Sequence, residues 1–237
     1  MTAEQEEPGI LAAVKRAIAA WLPGLRRLVF FGGRADPDPQ AVDAARGAWD
    51  AQVDNTIMPA LETVVDHAWR WQSGQPFVSG NSFTQAQLAL TRNLLVRIPD
   101  DVYNAIFSEI SEGVALGESK EQIASRIDTK LLQSGSEWWE NRAKVITQTE
   151  TNRAWNAGVL AAAQYYEPPT GPGWVKVWDT DMDSHERPSH RRANGQTRRL
   201  SDTFQVGGED LRFPGDPAGR PDNVINCRCT MTIRKGA

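Results

Sequence analysis

DTDMDSHERPSHRRANGQ, from Asp179 to Gln196, and FPGDPAGRPDNVINCRC, from Phe213 to Cys229, hold two of the chain's three histidines and both of its cysteines. Residue types this sparse, gathered at the two ends of one segment, point to a common site. It closes when intervening hairpins carry His190 back to Cys227 and Cys229. Around these motifs the sequence reads as short strands: WVKVWDT from Trp174 alternates apolar and polar residues, TRRL follows Gly195-Gln196, EDLRF follows Gly207-Gly208, and CTMTIR follows Arg228. Everything upstream reads as helix. The expected fold class is therefore α+β: a mainly helical N-terminal two-thirds followed by a small β-rich, loop-rich module over residues 171–237.

A module this small gains from a staple, and a bound metal is a common one. Cys227 and Cys229 on one strand would point to the same face, and with His190 they give two thiolates and an imidazole, a set suited to zinc. His185 or one of Asp181 and Asp183 could complete the tetrahedron. The competing reading makes the cysteines two small buried core residues. A disulfide between them is disfavoured, because extended residues at i and i+2 lie about 6.6 Å apart, at the edge of bridging range. Calcium is disfavoured too: in an EF-hand register begun at Asp179, Ser184 stands where the turn glycine belongs and His190 where the bidentate glutamate belongs. The three alternating aspartates suit either Mg²⁺ with phosphates or salt bridges to Arg187, Arg191 and Arg192.

Upstream, Gly9 to Phe31 has helical spacing with basic residues interleaved, and Pro23-Gly24 marks a break or kink between two short helices. Packing is the default for this stretch; a basic amphipathic segment carrying Trp21 also suits a membrane surface or a partner. After GGRADPDPQ, Asp38 can cap and Pro39 can open a long helix from Ala41 to Trp71, with a kink at Pro59. Its apolar stripe, with Trp49, Trp69 and Trp71, reads as core or subunit interface, and His67 as structural. Thr84 is the expected cap of a helix to Arg97. Pro99 opens the next, Gly117 closes it, and Ser119 with Gln122 has capping-box spacing for the one after. Glu137 to Tyr166 reads as the last long helix. Thr149, Asn152 and Asn156 form a polar ridge on it, with Glu150 beside them, either satisfying backbone groups of the following loops or supplying a catalytic carboxylate.

Composition bounds the function. The chain has 237 residues and a formal charge of −4. From Gly171 onward there are 11 Lys and Arg against 9 Asp and Glu, and before it 15 against 21. A tail at +2 lacks the concentrated basic face needed to wrap duplex phosphates, although local contact with nucleic acid remains open. The acidic start MTAEQEEPG does not resemble an export signal. The apolar run from Ile10 to Phe31 is interrupted by Lys15, Arg16, Pro23, Arg26 and Arg27, so stable membrane insertion is not expected.

The ordered set TETN (Thr149 to Asn152), VWDTDMD, RPSH, NGQ, FPGDP and INCRC resembles the phage Mu F-like minor head proteins, the head-morphogenesis family of tailed double-stranded DNA phages. The resemblance runs from about Pro99 to Ile233. It implies a division into an N-terminal helical region, 1–98, docking on portal or capsid, and a family module, 99–237, with helices over 99–166 and the β-rich part over 171–237. It implies a non-enzymatic virion protein, located in the phage head near the portal and in the host cytoplasm during assembly. Portal protein and major capsid protein are the implied partners, and the slight arginine enrichment of the tail adds packaged double-stranded DNA as a local contact. The family's motif positions here are Glu150, Asp183, Arg187, His190, Gly195, Gln196, Pro214, Asn226, Cys227 and Cys229, whereas His185 falls at a variable one. The expected metal set is thus His190, Cys227, Cys229 and Asp183, with zinc as the cofactor. The runner-up function is a metal-dependent hydrolase or nuclease in which Glu150 or an aspartate activates a metal-bound water.

Overall fold

Helical periodicity governs the chain as far as Tyr166, and strands appear only beyond Gly173. The structure is a computed structural model describing residues 2–31, 39–133, 135–182 and 185–236. Among them are helices α1 (Ala3–Phe31), α2 (Pro39–Gln52), α3 (Met58–Ser73), α4 (Ser82–Leu95), α5 (Ile98–Ala115), α6 (Lys120–Ile127) and α7 (Glu137–Tyr166). The C-terminal part adds β1 (Trp174–Asp179), α8 (Pro188–Ala193), β2 (Thr197–Arg199), β3 (Phe204–Val206), β4 (Glu209–Leu211), α9 (Pro221–Val224) and β5 (Thr230–Lys235). This is the α+β arrangement expected. No described helix is long and apolar enough to cross a membrane.

Three local expectations are corrected. Pro23 does not break α1, which runs unbroken to Phe31. Ala13, Val14, Ala17, Ile18, Trp21, Leu22 and Leu25 are all buried on one stripe spanning the proline, and that burial outweighs the lost backbone bond. The Trp21 indole is buried and donates to the Ala45 carbonyl at 2.7 Å, so this tryptophan packs inside the protein and does not face a membrane. The long helix expected from Ala41 to Trp71 is two helices joined by a π-helical turn, Val53–Ile57, closed by Met58 N–H on the Val53 carbonyl. The wide turn sits just before Pro59, whose ring needs room where the carbonyl four residues back would stand. Finally, α4 is capped by Asn81, whose Oδ1 accepts from Thr84 N–H at 3.0 Å. Thr84 is the recipient of the cap that it was expected to provide. The expected cap Asp38 lies outside the described residues, and α2 begins at Pro39.

The chain forms two compact units. One comprises Leu11–Pro59 and Arg92–Lys144. Its centre is three tryptophans: Trp21 lies 5.2 Å from Trp49 and 6.2 Å, edge-on, from Trp139. Each indole N–H finds a carbonyl, on Ala45, Leu95 and Leu131 respectively, so the rings bury their full area without an unsatisfied donor. Here Gly117 closes α5 by donating to the Val114 carbonyl, and Ser119 and Gln122 form the expected capping box on α6.

The other unit comprises Met1–Ile10, Ala60–Thr91 and Val145–Ala237. His67 pairs with Glu6 at 2.8 Å, a structural role served by a carboxylate remote in sequence. Trp69, Ala161 and Ala162 form a buried cluster flanked by Phe77, Phe83 and Tyr166. Gly158 lets α7 lie directly on α3: a Cβ there would stand 2.9 Å from both the Val65 carbonyl oxygen and the Ala68 methyl. The sheet has the order β2-β1-β5, all antiparallel, with Val177 opposite both Thr197 and Thr232. β3 and β4 form a separate hairpin whose turn, Gly207-Gly208, has φ of +62° and +82°. Trp178, Phe204, Phe213 and Lys176 are fully buried beneath these strands.

Candidate metal centre

The polar ridge on α7 is the platform for the site. Asn152 Nδ2 donates to the Cys229 carbonyl at 3.1 Å, and Asn156 Nδ2 lies 3.3 Å from both the Cys229 and Pro214 carbonyls. Arg153 Nε donates to the Gly215 carbonyl at 2.9 Å, and the Thr149 hydroxyl accepts from Asn226 N–H at 3.0 Å. These buried side chains satisfy the backbone of the two loops that carry FPGDP and NCRC. Glu150 belongs to the same layer: it is buried and receives two bonds from Arg153 Nη1, at 2.6 and 2.7 Å. Desolvation pushes its carboxyl up from the ordinary range, against the opposing pull of Arg153.

Cys227 and Cys229 lie in the turn before β5, not on the strand as expected. Asn226, between α9 and the cysteines, adopts φ of +56°, a left-handed conformation that asparagine tolerates better than most residues. Arg187 Nη2 donates to the Ile225 carbonyl, tying the start of α8 to this turn. Pro188 opens α8, and two residues later in the same turn His190 points inward, edge-on to Trp178 at 5.7 Å.

His190 Nδ1 stands 3.3 Å from Cys229 Sγ and 3.7 Å from Cys227 Sγ, and the ligand atoms of all three lie within 4.8 Å of one another. All three residues are buried. Zn–S bonds of about 2.3 Å and a Zn–N bond of about 2.0 Å in a tetrahedron separate nitrogen from sulfur by about 3.5 Å, a value between the two distances found. The donor set therefore fits a thiophilic divalent ion, with the ring's other nitrogen, Nε2, facing the Asn223 carbonyl at 2.9 Å. Donation from the Cys227 thiol pulls Cys229 down to about 5, helped by His190 and the Thr180 hydroxyl and opposed by burial. Cys227, which supplies that proton and is itself buried, is held well above the ordinary thiol value. Loading a metal must displace the protons that the pair of thiols still shares.

A small cleft of about 20 Å³, room for little more than a water molecule, opens over the cluster, lined also by Thr180, Asp181, His185, Glu186, Arg187, Asn226 and Arg228. Asp183, the fourth expected ligand, lies outside the described residues, and Asp181 and His185 line the cleft without joining the three-donor group. Arg191 pairs with Glu186. Glu150 is not among the cleft's lining residues. Gly195 and Gln196 serve the framework: Gly195 N–H donates to the Trp178 carbonyl, while the Gln196 amide accepts from Gln205 N–H and donates to its carbonyl. Three residues that the sequence did not single out matter here. Asn223 faces His190. Arg153 partners Glu150, and its i, i+3 spacing was the available signal. The fully buried Asp216 accepts from the backbone N–H groups of Arg212 and Ala218.

Residues 104–232, which contain the whole α7 platform, the His-Cys-Cys cluster and most of the sheet, match the family described as Phage Mu protein F like protein. The chain belongs to that family. It is also similar to "Minor head protein GP7" of Bacillus phage SPP1, with 26% identity over 132 residues, covering 55% of this chain and 40% of the relative. No solved structure matches it.

Proposed function

We propose that this protein is a minor head component of a tailed double-stranded DNA phage, supporting head assembly or genome packaging and delivery from a position at the portal and capsid interior. The family match over residues 104–232 carries this reading, supported by the likeness to a relative named as a minor head protein. Residues 1–98 are assigned to docking on portal and major capsid protein, and residues 99–237 to the family module. The protein acts in the host cytoplasm during assembly and resides afterwards in the phage head. Packaged DNA is a further partner, touched locally and in a salt-sensitive way. Co-expression with the portal protein of the same phage, followed by size-exclusion chromatography, tests the assignment. Co-elution is the expected result, and separate elution of the two full-length proteins refutes it.

His190, Cys227 and Cys229 hold a structural zinc in this reading, with Asp183 as the fourth ligand. Elemental analysis of protein purified without chelator is expected to give one zinc per chain, lost in Cys227→Ser together with thermal stability. Metal-free wild-type protein refutes the zinc assignment. The cleft over the cluster favours a second reading, a metal-dependent hydrolase, which needs a coordination position open to water. Substituting Asp183→Ala separates the two: loss of zinc supports the closed structural site, and retention of zinc supports the open one.

A further inference from the structure

Among the described residues, one side chain holds the imidazole of the cluster and reaches beyond it. Asn223 is buried on α9, 33 residues from His190, and offers His190 Nε2 two acceptors: its backbone carbonyl at 2.9 Å and its side-chain Oδ1 at 3.1 Å. Both are oxygens that can only accept, so Nε2 carries a hydrogen and Nδ1 is the nitrogen turned toward Cys227 and Cys229. The amide cannot be turned round. Its Nδ2 donates to the Val206 carbonyl at 2.9 Å and to Glu209 Oε2 at 2.7 Å, and a flip would set Oδ1 against both oxygens. The side chain is seated against the hairpin turn itself, since a Cβ on Gly207 would come within 3.2 Å of Asn223 Oδ1.

We propose that Asn223 is the positioning residue of the metal centre, fixing His190 as an Nδ1 ligand and tying the centre to the β3–β4 hairpin through Val206 and Glu209. This rests on the zinc assignment above. A metal-binding histidine whose second nitrogen is held by an oxygen is oriented and made more basic, and loss of such a partner weakens metal affinity by about 10–100-fold. The backbone carbonyl of residue 223 survives side-chain truncation, so the lower part of that range, about tenfold, is the expectation for Asn223→Ala.

The test uses the full chain. Zinc affinity is measured by competition with a chromophoric chelator, and the His190 tautomer is read from long-range ¹H–¹⁵N spectra of metal-free and zinc-loaded protein. The proposal expects an Nε2–H ring in metal-free wild type and an Asn223→Ala variant that binds zinc about tenfold more weakly. An Nδ1–H ring in the wild type, which needs no variant to fold, overturns it. Zinc uptake that Asn223→Ala leaves unchanged overturns this proposal alone. No zinc uptake by the wild type overturns it together with the zinc assignment.

Discussion

Replacing a helical glycine by alanine ordinarily stabilises a protein by about 0.5–1 kcal/mol, because alanine has less backbone freedom to lose on folding. At Gly158 the opposite sign is expected. The new Cβ would stand 2.9 Å from the Val65 carbonyl oxygen, 2.9 Å from the Ala68 Cβ and 3.3 Å from the Val65 Cα. Two of those atoms are backbone and the third is a Cβ, so none can swing aside as the end of a long side chain could, and α3 and α7 must part by several tenths of an ångström. Overpacking of this kind costs about 1–3 kcal/mol. Set against the propensity gain, the net expectation is a loss of about 1–2 kcal/mol, or roughly 2–8 °C in Tm for a chain of this size. Gly9→Ala is the matched control. Gly9 lies in a helix of the same unit, is exposed, and has nothing within 4 Å of its added Cβ, so this variant should gain the usual fraction of a kcal/mol. Both variants and the wild type are compared by urea denaturation followed by circular dichroism. If Gly158→Ala is stabilised as much as Gly9→Ala, the close helix contact that seats the α7 platform is refuted.

Lys176 predicts a pH dependence. Its buried ammonium donates to the Leu200 and Arg212 carbonyls, yet burial lowers its pKa from 10.5 to about 8. Between those values the folded state has released the proton and the unfolded state still holds it, so this residue's contribution makes stability rise with pH over that window, by a total on the order of 3 kcal/mol. Lys176→Met should abolish that increment in urea melts at pH 7.5 and 10; an unchanged slope would rule it out. Asp216→Asn should cost about 3 kcal/mol, since it removes the charge facing Arg212 from a carboxylate that is itself fully buried. A loss below 0.5 kcal/mol on the same assay, about the scatter of surface substitutions, would contradict that role.

The helices were legible because their signals are local: α7 was marked by flanking turn residues and an unbroken run, α6 by a capping box three residues wide. The His-Cys-Cys cluster was legible through rarity, since cysteine and histidine are scarce in this chain. What could not be read depends on contacts between distant residues. Nothing near Pro23 announces that α1 will continue, because its continuity comes from burial of Trp21, Leu22 and Leu25 against elements far along the chain. Asn81 and Thr84 are both competent caps, and only the path of the turn before α4 chooses between them. Asn223 is one polar residue among several in a proline- and glycine-rich loop, and its part is defined by partners at 190, 206 and 209. The platform lies between these cases. The ridge of Thr149, Asn152 and Asn156 was visible, whereas the carbonyls it serves were not.

The place of β1 in its sheet sets an order of events. This strand is central, and its partner β5 begins some fifty residues later, so the sheet cannot be completed until the segment Thr230–Lys235 is available. Pairings this distant close late, after local helices and the β3–β4 hairpin have formed. Both thiols lie immediately before that last strand, and His190 lies well before it. A metal arriving early meets one imidazole and no organised thiolate pair; capture becomes possible only when the final strand docks. Occupancy of the centre would then mark chains whose module has finished folding, distinguishing them from those still open.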